Sequence, residues 1–200
     1  RMTMSVGVDH RVHSDAPVRT ATSWSEDLAK VVMTADAPAG VPIRVEKFFT
    51  YHTSRHVPSV ELVDRGLRSL DRALALGSAA LHDGQRRELD AFWDRADVVL
   101  DGPARFQQAI RWNLFQLHQA SARAETTGIP AKGLTGQAYE GHYFWDTEIY
   151  VTPFLTYTEP RITRNLLRFR EGMLPHARAR AAELSERGAL FPWRTINGEE

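Results

Sequence analysis

Two hundred residues, 42% of them hydrophobic and 25% charged, make one globular domain or one and a half. Twenty-five basic side chains balance twenty-five acidic ones, so no global field favours nucleic acid or an anionic membrane. Cysteine is absent, which excludes a disulfide framework and thiolate metal sites, and no apolar run approaches the ~20 residues of a membrane-spanning helix. The opening Arg1-Met2-Thr3-Met4 lacks the apolar stretch of a signal peptide, and an initial arginine fits a natural start lying upstream. With the missing cysteines, this points to a cytoplasmic protein.

The first third reads as strand. Met4, Val6 and Val8 alternate with small or polar residues. Ala29, Val31 and Met33 repeat the pattern, and Ile43, Val45, Lys47, Phe49 and Tyr51 give a third period-two stretch. Ala35 to Pro42 holds two prolines and a glycine and reads as a connection. Three strands are few for a sheet covered on both faces. They predict either a small sheet packed on the following helices or the tail of a larger β-domain, with the second favoured.

From residue 58 the spacing turns helical. Val60, Val63, Leu67, Leu70 and Leu74 form one stripe, interrupted by Gly77 and by the turn-like His82-Asp83-Gly84. A second helix carries Leu89, Phe92, Trp93 and Ala96. After the break at Asp101-Gly102-Pro103, a third shows Phe106, Ile110, Leu114 and Leu117, widened by Trp112 and Phe115. Gly128 to His142 predicts a long connection of the kind that carries function. A helix follows from Thr147 to Tyr157. Another starts at Glu159-Pro160, carries Ile162, Leu166, Phe169, Met173, Ala177 and Leu184, kinks near Pro175, and ends with Gly188 as the residue past its cap.

Candidate chemistry concentrates in KGLTGQAYEGHYFWDTE, residues 132–148. Asp146 or Thr147 can cap the next helix, and Glu148 would then meet the positive end of its dipole. That capping role accounts for both carboxylates without a ligand. Trp145 tips the balance, because an aromatic face beside a carboxylate matches a sugar ring, apolar on its faces and hydroxylated at its rim. Gly133, Gly136 and Gly141 permit positive φ but match neither a P-loop nor a dinucleotide fingerprint. Lys132 reads as a solvated lysine and His142 as a structural imidazole. The end of the chain, from Phe191-Pro192-Trp193 to Gly198-Glu199-Glu200, again sets an aromatic residue near carboxylates. The pairs His10/His13 and His52/His56 lack metal-ligand spacing, and no metal site is expected. There is no GxSxG elbow, and the arginines from Arg161 to Arg180, interrupted by glutamates, read as a solvated helix face.

KGLTGQAYEGHYFWDTE resembles the signature of glycoside hydrolase family 65, which holds the maltose, trehalose and kojibiose phosphorylases. The likeness continues into Pro192-Trp193 and Gly198-Glu199-Glu200. Upstream it takes in Glu46-Lys47-Phe48 with Thr53-Ser54-Arg55, and Phe106 through Arg111. The resemblance implies an α+β chain: the end of an N-terminal β-sandwich at 1–57, a helical linker at 58–100, and the first helices of an (α/α)6 barrel at 101–200. It places Trp145 and Asp146 at the subsite for the transferred glucosyl unit. Tyr139, His142, Glu148, Trp193, Glu199 and Glu200 are further candidates for the same pocket.

The implied reaction is inverting phosphorolysis of an α-glucosidic disaccharide to β-glucose 1-phosphate and glucose. Inorganic phosphate is co-substrate, and no cofactor is needed. A trehalase-like hydrolase of the same family and a non-catalytic sugar-binding remnant are the alternatives. The family's general acid lies in an Asp-Glu motif followed by Tyr-His, which this sequence lacks. No catalytic residue is therefore expected within the 200 residues; the acid should lie beyond Glu200, and the chain alone should be inactive. The family pattern argues against Glu199 or Glu200 as substitutes. Expected partners are a disaccharide or glucose and phosphate, with no nucleic acid or membrane, and a homodimer is common in the family.

Overall fold

The computed structural model describes residues 3–26, 28–55, 57–121, 123, 126–134 and 138–199. Arg1, Met2, His56, Gly136 and Glu200, named above, lie outside the described residues. Helix and strand are mixed, and the chain divides into two compact units, Arg1–Glu88 and Leu89–Glu200.

The first unit holds four strands where the spacing predicts three. β1 (Met4–His13) pairs antiparallel with β4 (Arg44–Thr53), and β2 (Val18–Ser25) pairs antiparallel with β3 (Leu28–Ala35). β2 escapes a periodicity reading because its sequence, VRTATSWS, does not alternate. In the β1–β4 pair the alternation is real, but its direction is informative. Val6 opposes Tyr51 and Val8 opposes Phe49, and all four are exposed, as is Met4. The other face carries Ser5, Gly7, Glu46, Phe48, Thr50 and His52, and it is this face that meets a helix.

That helix is α1 (Leu62–Ala96), entered through a 3-10 turn over Ser59–Glu61. Gly66 faces the sheet, and a Cβ there would make ordinary contacts, 3.6 Å from Ser5 Oγ and 3.8 Å from Thr50 Oγ1. His52 reaches Ser69 at 3.1 Å, and Arg11 donates to the Leu74 carbonyl. Leu62 and Leu70 are buried on this side, whereas Val60, Val63 and Leu67 of the predicted stripe are exposed. The helix has a second apolar stripe that the sheet does not cover. α1 breaks at Gly77, whose φ of 78° and ψ of 163° leave the helical region, but it runs unbroken through His82-Asp83-Gly84. A glycine inside a helix costs only about 1 kcal/mol, and the residues on both sides sustain the helix. Just past the break, Ser78 donates to Glu46, which also meets Arg44 and, at 3.2 Å, His13.

The second unit is helical. Phe92 and Ala96 near the end of α1 pack with Leu114 of α2 (Ala104–Ala120). Phe92 is fully buried, worth about 1.5–3 kcal/mol for such a side chain. His118 stacks on it with ring centroids 4.0 Å apart. Of the predicted α2 stripe, Leu114 is buried but Phe106 is exposed. α3 (Thr152–Thr158), α4 (Pro160–Gly172) and α5 (Leu174–Glu183) follow, joined to the core by Leu155, Ile162, Leu166, Phe169 and Met173. The predicted kink is a break at Met173, with Pro175 in the first turn of α5, where its missing N–H is harmless.

The end of α5 differs from expectation. Glu186 N–H bonds to the Ala181 carbonyl and Ser185 N–H to Ala182, a Schellman closure in which Ser185, at φ 59°, takes the left-handed position. Gly188 lies beyond that position.

Candidate functional site

The two aromatic loops come together as a pair. Tyr143 and Phe144 form β5 (Tyr143–Phe144), which pairs antiparallel with β6 (Arg194–Thr195), so that Tyr143 opposes Thr195 and Phe144 opposes Arg194. Behind this short ladder, Gly128 leaves no room for a side chain: a Cβ would lie 2.6 Å from the Phe169 ring and 2.9 Å from Tyr143. The approach to β5 is a tight turn over Ala138–Gly141 in which Tyr139, Glu140 and Gly141 all have positive φ. Left-handed non-glycine residues are uncommon and cluster at ligand-binding turns. His142 closes this turn, its N–H and its Nδ1 both meeting the Tyr139 carbonyl, at 2.8 and 2.7 Å.

After Asp146 the chain makes a π-helical turn over Thr147–Val151 before α3 begins. Pro153 has no N–H for the Ile149 carbonyl. The wide turn sits just before it, with Thr152 N–H bonding back to Thr147. Asp146 occupies the cap position, yet its side chain makes no cap hydrogen bond. Among the described residues it accepts none at all. Asp146 is exposed and does not cap the turn, so its carboxylate is open to solvent and to a ligand.

A cleft of about 930 Å³ opens here between α2, the loop from Ile129 to Gly133, and the π-helical turn. Asp146, Thr147, Tyr150 and Val151 form one wall, a set that the wide turn brings to one side, and Asn113 and Gln116 of α2 face them. Tyr139, Phe144 and Trp193 supply aromatic surface. Tyr139 stands edge-on to Phe144 at 5.0 Å, and Lys132 Nζ lies 5.7 Å from the Tyr139 ring. Lys132 lines the cleft and is itself exposed, so the solvated reading holds while the side chain also borders the site. Flat aromatic faces, amide side chains and an unengaged carboxylate suit a neutral ligand rich in hydroxyls.

Trp145, His142, Glu148 and Glu199 lie outside the cleft wall. Trp145 packs at 5.5 Å from Trp193, and Trp193 itself is in the wall. Glu199 folds back within its own loop, its carboxylate accepting from Asn197 at 3.1 Å and its carbonyl from Thr195 at 2.6 Å. Glu200 lies outside the described residues. Glu148 points away from the cleft: its Oε1 meets Arg170 Nε at 2.9 Å and accepts from the Tyr143 hydroxyl. Burial first, and then the carboxylate beside it, holds the Tyr143 phenol well above the ordinary tyrosine range, so it stays a donor.

Sequence reasoning missed Asn113, Gln116, Tyr150 and Arg170. The first three carried no motif. Arg170 was hidden among the other arginines of its helix. A second, more open groove of about 1020 Å³ runs along α2 past Trp93 and Trp112. Two of its polar groups are committed: Arg111 pairs with Asp97 at 2.8 Å, and Gln107 bonds the backbone of Val98 and Leu100. The cleft at Asp146 is the one that sets a carboxylate beside aromatic faces and amide side chains.

The sequence model for the glycosyl hydrolase family 65 central catalytic domain matches residues 111–200, and that for the family 65 N-terminal domain matches residues 1–92. The chain belongs to glycosyl hydrolase family 65. Its family 65 relatives include the alpha,alpha-trehalose phosphorylase of Thermoanaerobacter brockii, 41% identical over 193 residues, covering 96% of this chain and 25% of that protein. The maltose phosphorylase of Bacillus subtilis is 36% identical over 161 residues, covering 78% and 21%. Among solved structures, "Putative kojibiose phosphorylase from human microbiome" superposes with a TM-score of 0.85 at 30% identity, covering 100% of this chain and 26% of that one. The chain spans about a quarter of the length of the curated relatives it matches. The whole cleft wall at Asp146 falls within the stretch matched to the family 65 catalytic domain.

Proposed function

We propose that the full-length protein is an inverting phosphorylase of an α-glucosidic disaccharide, and that this chain supplies the pocket for the glucosyl unit. The observation that carries the reading is Asp146: a carboxylate without a partner, in an aromatic-lined cleft, within the region matched to the family's catalytic domain. Support for phosphorolysis comes from relatives that are trehalose and maltose phosphorylases.

In this reading Asp146 accepts hydrogen bonds from the glucosyl hydroxyls, Trp193 and Tyr139 offer apolar faces to the ring, and Trp145 braces Trp193. Glu148 serves behind the wall, and His142 fixes the turn that presents Tyr139. The bond that breaks is the one from the anomeric carbon to the glycosidic oxygen, which takes the pair of electrons and a proton from a general acid. A phosphate oxygen attacks the opposite face and forms the new bond, giving β-glucose 1-phosphate and glucose. Inverting hydrolases need a second carboxylate to activate water; phosphate is already a nucleophile, so this pocket needs only a donor-rich place for it. The general acid and the phosphate-binding groups come from outside these 200 residues. No cofactor takes part.

The same reading assigns residues 1–57 to the end of a β-sandwich, 58–100 to a linker and 101–200 to the first helices of an (α/α)6 barrel. The exposed apolar row of Met4, Val6, Val8, Phe49 and Tyr51 supports the first assignment, because a contiguous apolar face marks a surface that another layer covers. A cytoplasmic location fits a reaction that consumes phosphate. No helix among the described residues is long and apolar enough to cross a membrane.

The test is release of β-glucose 1-phosphate by the full-length protein from trehalose, maltose and kojibiose with inorganic phosphate. Phosphate-dependent release from one of them is the expected result. Free glucose formed at the same rate without phosphate would make the protein a hydrolase. Saturable sugar binding without turnover would make it a binding protein.

A further inference from the structure

We propose that Arg170 is a positioning residue that holds the two loops of the cleft in a single register. It lies on α4, outside the cleft wall, and its side chain is only 15% exposed. Its guanidinium carbon lies 4.5 Å from the centre of the Phe191 ring and 5.3 Å from that of Tyr143. Its Nε meets Glu148 Oε1 at 2.9 Å, and the Tyr143 hydroxyl donates to that same oxygen. Tyr143 and Glu148 bracket Asp146 in sequence, and Phe191 leads directly into Pro192-Trp193. One cation therefore grips the chain on both sides of Asp146 and also grips the loop that carries Trp193.

The chemistry suits arginine in particular. A planar guanidinium can stack on aromatic rings while one edge pairs with a carboxylate, and a lysine ammonium cannot do both. Glu148 strengthens the case. Its Oε2 is buried and has no partner, so its polar contacts all run through the one oxygen shared by Arg170 and Tyr143. The Glu148 side chain is 31% exposed, but with Oε2 shut off from solvent its charge leans on the cation beside it. Loss of Arg170 thus releases Glu148, then Tyr143 and Phe191, and shifts Asp146 relative to Trp193. A misplacement of about 1 Å costs about 100-fold in rate. Arg164, on the same helix, is exposed and serves as the control.

The kinetic part of the test rests on the function proposed above; the spectroscopic part does not. In the full-length protein, Arg170→Met should lower kcat/KM for the disaccharide about 100-fold and leave the KM for phosphate unchanged. Arg170→Lys should fall between it and the wild type, and Arg164→Met should match the wild type. Glu148→Gln should reproduce much of the defect, and Arg170→Met with Glu148→Gln should cost no more than Arg170→Met alone, because both break one link. Independently of any substrate, the Trp145 and Trp193 rings, 5.5 Å apart and tilted by 60°, should couple their transitions in circular dichroism. That couplet should weaken in Arg170→Met and Arg170→Lys and persist in Arg164→Met. A lower melting temperature with wild-type kcat/KM and an intact couplet would overturn the proposal, as would additive effects of the two substitutions. If Arg170→Met fails to fold, Arg170→Lys and Glu148→Gln decide the matter by the same measures. If the wild type shows no phosphorolysis, the proposed function fails, and the couplet alone decides the role of Arg170.

Discussion

Asp146 sits exposed at the start of a helical turn without capping it, so a binding role and a structural role predict different costs of replacing it. A capping aspartate typically contributes about 1 kcal/mol to stability, whereas a carboxylate that bonds a substrate contributes nothing until the substrate arrives. Asp146→Asn in the full-length protein should therefore change stability by less than about 1 kcal/mol, the scale of the remaining helix-dipole effect. It should lower kcat/KM between ~10- and ~150-fold, the equivalent of losing about 1.5–3 kcal/mol in one charge-assisted hydrogen bond. Thermal melts and phosphorolysis kinetics on the same preparation check both halves. A variant that loses stability but keeps its activity would return Asp146 to a structural role. The residue itself was legible because Trp145-Asp146 combines two types whose juxtaposition has a chemical meaning. Arg170 was not, because its meaning comes from Tyr143, Glu148 and Phe191, which lie in different stretches of sequence and meet only once α4 packs behind the loops.

At the scale of elements, period and punctuation served well wherever burial is one-sided. The break near Pro175 and the packing of Ile162, Leu166, Phe169 and Met173 follow from spacing alone. β2 failed because VRTATSWS carries no apolar alternation, whereas the comparably exposed β3 alternates and was legible. The π-helical turn is likewise invisible to a search for the α period, though Pro153 marks its place. The end of α5 offers a sharper case. Glycine is the usual residue at the left-handed position of a Schellman closure, and the sequence places Gly188 nearby, but the structure puts Ser185 there. A side chain in this conformation costs roughly 1–2 kcal/mol, part of which glycine returns through its greater freedom in the unfolded chain. Ser185→Gly should therefore stabilise by about 0.5–1 kcal/mol. The urea midpoint should rise at constant m-value; an unchanged or lower midpoint would mean that the serine is not strained.

For the molecule as a whole, each of the two units contains a carboxylate held by its partners, and each should be sensitive to acid for that reason. In the first unit, Glu46 of β4 accepts from Ser78 of α1, with His13 and Arg44 also against it, and its carboxyl is pulled down to about 2. In the second, the hydrogen bonds from Arg111 hold Asp97 below the usual carboxylate range. In both cases the folded state binds its proton later than the unfolded chain does. The stability these groups provide is thus complete above the ordinary carboxylate range and is lost as pH falls; for Glu46 the loss runs from about 4.5 toward about 2. The Glu46 cluster ties β4 to α1 just past the Gly77 break, so its loss should loosen the docking of strand on helix. Hydrogen exchange between about pH 5 and pH 2, corrected for intrinsic rates, should show protection falling in residues 44–53 and, separately, in the α1–α2 connection that Arg111 braces. Glu46→Gln should flatten the first limb and leave the second, and Asp97→Asn should do the reverse. Identical acid limbs in the wild type and in both variants would mean that these clusters do not set the acid stability, and that the sensitivity lies in carboxylates elsewhere in the chain.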